Sequence, residues 1–221
     1  MKDFEKTPKT EGRVCGQSLK ALLIVDMQND FMPGGALPVP HGDEIIPIIN
    51  QLMPHFSLIV ATQDWHPSDH VSFASNHPGK KPGDIIEVRG IKQILWPVHC
   101  VRNTKGAELV SSLQKQPISS IFYKGSDKWV DSYSTFFDNA RLRATGLEEY
   151  LKTRQVKEIY IVGVATDYCV LYSVLDALDL GFKVRVIKDA CLGINLQPGD
   201  QAAAVARMKN AGASLIDSHQ I

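Results

Sequence analysis

The chain has 221 residues, 44% of them hydrophobic, and its 24 Lys and Arg equal its 24 Asp and Glu. That length can bury a sizeable core, and the even charge, with no long block of either sign, excludes the usual nucleic-acid and anionic-lipid binders and favours a small neutral ligand. No apolar run reaches bilayer length, MKDFEKTPKT lacks a signal-peptide core, and Cys15, Cys100, Cys169 and Cys191 are too scattered for a disulfide framework. A cytoplasmic protein away from membranes is expected.

Residues 1–18 have little hydrophobic pattern and are expected to form a loose arm, with one domain over 19–221. A first strand is predicted at 20–26. A helix should start near Asp43, with Ile45, Ile48, Ile49, Leu52 and Met53 on one face and Pro47 in its first turn. A second strand follows at 57–62, then an irregular stretch over 64–105, long enough to serve as a lid or substrate wall. A short helix near 106–113, a strand at 119–123, a helix near 147–154 and a strand at 158–163 come next.

In GVATDYCVLYSVLDALDLG, Thr166 is read as an N-cap, Asp167 as a first-turn acid, Val170, Val174, Leu175 and Leu178 as an inward stripe, and Gly181 as the stop. FKVRVIKDA supplies a fifth strand, residues near 199–211 a last helix, and SLID a sixth strand. Strands alternating with helices imply an α/β fold of three layers, a mostly parallel six-stranded sheet with helices on both faces.

Asp26, the Asp64/His66 pair, Lys124 and Cys169 each sit just past a different apolar run: LLIV, SLIVAT, SIFY and IYIVG. The carboxyl ends of parallel strands line one crevice, so these groups should share a pocket. A cysteine in a first helical turn faces free N–H groups that favour thiolate and can hold an oxyanion. Asp26, desolvated at a strand end, can exchange a proton with that thiol, and Lys124 can pair with Asp26. Asp64 and His66 with His99 would make a carboxylate and two imidazoles around a catalytic ion, and His70 is a possible fourth donor. Nitrogen and oxygen donors suit zinc, iron and manganese. His41, His55, His77 and His219 lack such companions and read as surface residues. Cys100 and Cys191 read as structural.

The segments ALLIVDMQNDFMPGGAL, ATQDWHPSDHVSFA, WPVHC, Lys124 to Phe136 and GVATDYCV together resemble the nicotinamidase branch of the isochorismatase-like cysteine hydrolases. The resemblance implies a triad of Asp26, Lys124 and Cys169, and metal ligands Asp64, His66 and His99. It also implies an oxyanion hole from the N–H groups of Ala165 and Cys169, shaped by a cis bond between Val164 and Ala165. Phe31, Trp96 and Tyr133 match aromatic positions around a pyridine ring. One divalent metal, zinc foremost, and nicotinamide as substrate are implied, and a homo-oligomer is compatible. The insertion NHPGKKPGDIIEVRGIKQI and the segment GSDKWVDS depart from the shortest members.

The expected reaction is hydrolysis of nicotinamide to nicotinate and ammonia through a Cys169 thioester, with the ion fixing the ring nitrogen. The alternative is a metal-free hydrolase of the same fold acting on another small amide or carbamoyl compound. A metal or redox sensor would leave Asp26 and Lys124 without a role.

Overall fold

The computed structural model describes residues 19–221, so the expected arm, and Cys15 within it, lie outside the described residues. In chain order the elements are β1 (Leu19–Val25), α1 (Ile46–Leu52), β2 (Leu58–Asp64), β3 (Ile85–Val88), β4 (Ile91–Ile94), β5 (Ser120–Lys124), α2 (Leu147–Thr153), β6 (Val156–Val164), α3 (Leu171–Asp179), β7 (Lys183–Leu192), α4 (Asp200–Asn210) and β8 (Ser214–Ile216). Six strands pair in the order β5-β2-β1-β6-β7-β8, and every pairing in that sheet is parallel.

A strand buried on both faces should send alternate residues into two separate cores. Leu22 and Ile24 of β1 join Ile49 and Leu52 of α1 on one side. Ala21, Leu23 and Val25 meet α2, α3 and α4 on the other, through Leu147, Val174 and Met208. Among the described residues the first face has the short α1 as its one α-helix, and loop residues such as Val39, Cys100 and Leu109 add to its cover.

Four expectations differ from the structure. The first helix starts at Ile46, because residues 41–45 form turns, although Pro47 does lie in its first turn. The helix expected near 106–113 is absent: only a 3₁₀ turn at Lys105–Ala107 forms. Instead, Glu108 accepts from the Asn29 N–H at 3.0 Å and Val110 donates to Met27 at 2.9 Å, so pairing with the chain after β1 satisfies the backbone that a helix would have used. Within the irregular 64–105 stretch, the inserted residues fold back as the antiparallel hairpin β3–β4. Its two-residue loop, Arg89 and Gly90, has φ of +53° and +79°, the left-handed pair that suits a right-twisted hairpin. Thr166 is not an N-cap; a π-helical turn over Thr166–Val170 precedes α3, and the Thr166 hydroxyl is buried without a partner.

The other end of α3 follows the sequence closely. Gly181, at φ +84°, donates to Leu178 and Phe182 donates to Ala177, the paired bonds of a Schellman stop.

Gly163 near the end of β6 fixes how close β1 can lie. Its φ is +115°, and a Cβ there would sit 2.1 Å from the Val25 carbonyl oxygen. Gly163→Ala is expected to cost about 3 kcal/mol or more through backbone strain and overlap, lowering the melting temperature by on the order of 6 °C or more in calorimetry. An unchanged melting temperature would show that this contact does not set the β1–β6 spacing.

Candidate active site

Chain order reverses between β1 and β6: from β1 the chain moves outward to β2 and β5, then returns on the other side of β1 as β6. Ligands in open α/β sheets bind at such a switch point. Asp26 follows β1, Asp64 ends β2, Lys124 ends β5, and the turn carrying Cys169 follows β6. Asp64 and Lys124 are register partners on neighbouring strands. Asp26, at φ +49°, turns out of its strand just where the β1–β2 ladder has ended at Ile24 and Ala61.

Lys124 is the hub. Its ammonium lies 2.8 Å from Asp26 Oδ2 and 2.5 Å from Asp64 Oδ1, and it reaches Cys169 Sγ at 3.3 Å and the Ser132 carbonyl at 3.1 Å. One carboxylate oxygen each of Asp26 and Asp64 and the Cys169 sulfur lie within 4.8 Å of one another. Asp26 Oδ1 accepts the Thr62 hydroxyl at 2.7 Å, whereas Oδ2, close to Lys124 but poorly aligned with it, keeps a lone pair without a hydrogen bond.

Burial moves these groups in different directions. It pushes the Asp26 carboxyl up, and Lys124 only partly opposes the shift. It pushes the Cys169 thiol well above 9.0, again against the pull of Lys124. For Lys124 itself burial acts downward, but Asp26 and Asp64 together raise it well above 10.5. Burial would raise Asp64 too, yet Lys124 and His66 hold it below the ordinary carboxylate range.

The sequence separated Asp64 from the triad, but the structure joins them. While Asp64 Oδ1 meets Lys124, its Oδ2 faces His66 Nε2 at 3.6 Å and His99 Nε2 at 3.9 Å. The other nitrogen of each ring is taken: His66 Nδ1 by the Gly125 carbonyl and His99 Nδ1 by the Pro97 carbonyl, both at 2.8 Å. Such outer bonds fix the tautomer and leave Nε2 free for a metal. A Cβ on Gly125, which has φ +62°, would lie 2.4 Å from the His66 ring, so the glycine permits that contact.

His70 is buried, its Nδ1 against the Ser72 hydroxyl at 2.7 Å and its Nε2 without a partner. It forms a second trio of possible donors with His66 and Asp131. Burial and neighbouring His66 lower both His70 and His99 to about 4, so both rings are neutral donors at neutral pH. For His66 burial acts downward, but the neighbouring Asp64 raises it. A buried carboxylate flanked by imidazoles, with one nitrogen orphaned, fits a divalent cation.

Above the sulfur is a pocket lined by Phe31, Trp96, Tyr133, Ala165 and Cys169, so the three expected aromatic residues converge. Trp96 Nε1 donates to the Tyr133 hydroxyl at 3.2 Å. The sequence reading missed Leu37, Asp131, Tyr168 and Ile194, which also line it. Only Tyr168 had a signal, its place beside Cys169. The Val164–Ala165 peptide is cis, as the resemblance implies. His41, His55 and His219 are exposed and His77 is partly buried, bonding the Val71 carbonyl through Nε2; Cys100 and Cys191 are buried thiols.

The isochorismatase domain model matches residues 20–220. The chain belongs to the isochorismatase family. Within that family it is similar to the nicotinamidase of Escherichia coli (strain K12), 48% identical over 89% of this chain and 93% of the relative. Among solved structures, the yeast nicotinamidase bound to the inhibitor nicotinaldehyde aligns with a TM-score of 0.85 and 38% identity, covering 90% of this chain and 100% of that one. The pyrazinamidase of Pyrococcus horikoshii in complex with zinc aligns with a TM-score of 0.73 and 42% identity, over 90% and 98%. The protein is an amidohydrolase of the isochorismatase family.

Lys124→Met would leave the buried Asp26 carboxylate without its counter-charge, and Asp64 with His66 alone, at a cost of about 3–5 kcal/mol. The Asp26 carboxyl, already pushed up by burial, would then rise further. Stability from a raised group is present below the unfolded value, near 4, and lost as pH rises. Thermal melting of the variant should therefore approach wild type at pH 5 and fall clearly below it at pH 8. An equal deficit at both would contradict the ion-pair assignment.

Proposed function

We propose that this protein hydrolyses nicotinamide to nicotinate and ammonia through a thioester on Cys169. The observation that carries the reading is the contact of Lys124 with Asp26, Asp64 and Cys169 beneath an aromatic pocket. The similarity to nicotinamidases supports the choice of amide.

In the first half-reaction the Cys169 proton passes to Asp26, whose raised carboxyl and free Oδ2 lone pair suit it to the task. The sulfur attacks the carboxamide carbon, and the carbonyl electrons move onto oxygen. The N–H groups of Ala165 and Cys169 stabilise that oxyanion. As the C–N bond breaks, Asp26 returns the proton to the departing ammonia. In the second half-reaction Asp26 takes a proton from water, which attacks the thioester and releases nicotinate and the thiol. Lys124 keeps Asp26 ionised between transfers and lowers the cost of a thiolate.

Phe31, Trp96 and Tyr133 flank the ring. A divalent ion held by Asp64, His66 and His99, with zinc as the first choice over iron or manganese, would anchor the pyridine nitrogen and so orient the ring. His70, grouped with His66 and Asp131, is the candidate for a further donor. One domain over 19–221 suffices for this site. Unpaired buried thiols suit a reducing, cytoplasmic setting, and the balanced charge fits a neutral substrate rather than nucleic acid or membrane, in a monomer or homo-oligomer.

Ammonia release from nicotinamide tests the chemistry. Cys169→Ala should lose activity by about 10³-fold or more, and chelation should abolish activity that added zinc restores. Full activity in the alanine variant would remove the covalent route, and full activity after verified metal removal would remove the ring anchor. His70→Ala should weaken zinc binding by about tenfold or more in competition with a chromophoric chelator. Unchanged affinity would assign His70 to packing.

A further inference from the structure

The loop after β7 closes one side of the pocket, and the acyl-transfer steps do not account for how it is held. Asp167, buried two residues before the sulfur, accepts the Ile194 N–H on Oδ1 at 2.9 Å and the Asn195 N–H on Oδ2 at 2.7 Å. From α4, Gln201 Oε1 accepts the Gly193 N–H at 2.9 Å, and the Gln201 N–H donates to Asn195 Oδ1 at 2.9 Å. Asn195 is in the left-handed region, at φ +52°. Three successive loop N–H groups are thus fixed by side chains from the turn that carries the nucleophile and from α4. Between them Ile194 is presented to the pocket, against the core that includes Phe31, Trp96 and Ala165.

A side chain that only filled space would be held by packing, whereas a buried carboxylate costs desolvation that its two charge-assisted bonds must offset. We infer that Asp167 and Gln201 hold Ile194 as a fixed wall, and that this wall sets the width of ring amide that Cys169 accepts. Both are positioning residues, acting through Ile194. A rigid wall at close packing rejects an added methyl group, and a loosened one yields to it. The inference rests on the ring-amide reading, which it deepens.

The test compares kcat/KM for nicotinamide and a set of ring-methylated nicotinamides in wild type, Asp167→Asn and Gln201→Ala. In parallel, Cys169 alkylation by iodoacetamide and by an N-aryl iodoacetamide is followed by peptide mass. Wild type should disfavour at least one methylated ring by about tenfold or more, and each variant should narrow that ratio by about threefold or more. The variants should narrow the small-to-bulky alkylation ratio likewise. Equal losses on all amides with an unchanged alkylation ratio would overturn the inference and make the clamp merely structural. Wild type that releases no ammonia would instead refute the hydrolysis reading, and the alkylation ratio would still decide the wall. If Asp167→Asn does not fold, Gln201→Ala tests the same loop from the other side.

Discussion

A single buried ammonium makes this arrangement of strand ends possible. Asp26, Asp64 and Cys169 converge in a site almost closed to solvent, and two carboxylates there would repel each other and resist burial. Lys124 faces both carboxylates, the sulfur and a carbonyl oxygen, four partners for three protons. At least one contact must be shared or electrostatic. The poorly aligned Asp26 Oδ2, left with a free lone pair, is where that shortage falls. A shortage of donors therefore leaves an acceptor near the thiol, where the proposed proton transfer would need one.

Asp64 links this hub to the histidines. One carboxylate oxygen meets Lys124 and the other faces His66 and His99. The groups that would hold an ion and the groups that would carry out acyl transfer thus share a residue, and substitutions in the two sets should not add independently. Gln28 strengthens the link. Its buried side-chain amide donates to the Asp64 carbonyl and accepts from the Asp64 N–H, both at 2.8 Å, which prolongs the β1–β2 pairing past the last ladder residues.

Strand ends were the most legible part of the chain, because β-branched runs followed by one polar residue mark both the element and its exit toward the crevice. Asp26, Asp64, Lys124 and Cys169 were found in that way, and the structure brings them together. Features decided by partners distant in sequence were not legible. Residues 106–113 look helical locally but pair with residues 27–29, and the hairpin turn at Arg89 and Gly90 lacks the usual Asn-Gly or Asp-Gly signal. Thr166 has the right side chain for a cap but sits inside a π-helical turn. Ile194 and Asp131 reach the pocket only through loop geometry, for which no periodicity exists, and the cis bond at Val164 was implied by resemblance rather than by any local rule.

The central claim, that Cys169 presents its sulfur to a ring carbonyl held in this pocket, is tested most directly by nuclear magnetic resonance of carbonyl-¹³C nicotinaldehyde bound to the metal-loaded protein. The carbonyl carbon should shift to a tetrahedral thiohemiacetal that is lost in Cys169→Ala. An aldehyde that binds equally to both proteins and keeps a trigonal carbon would contradict the account.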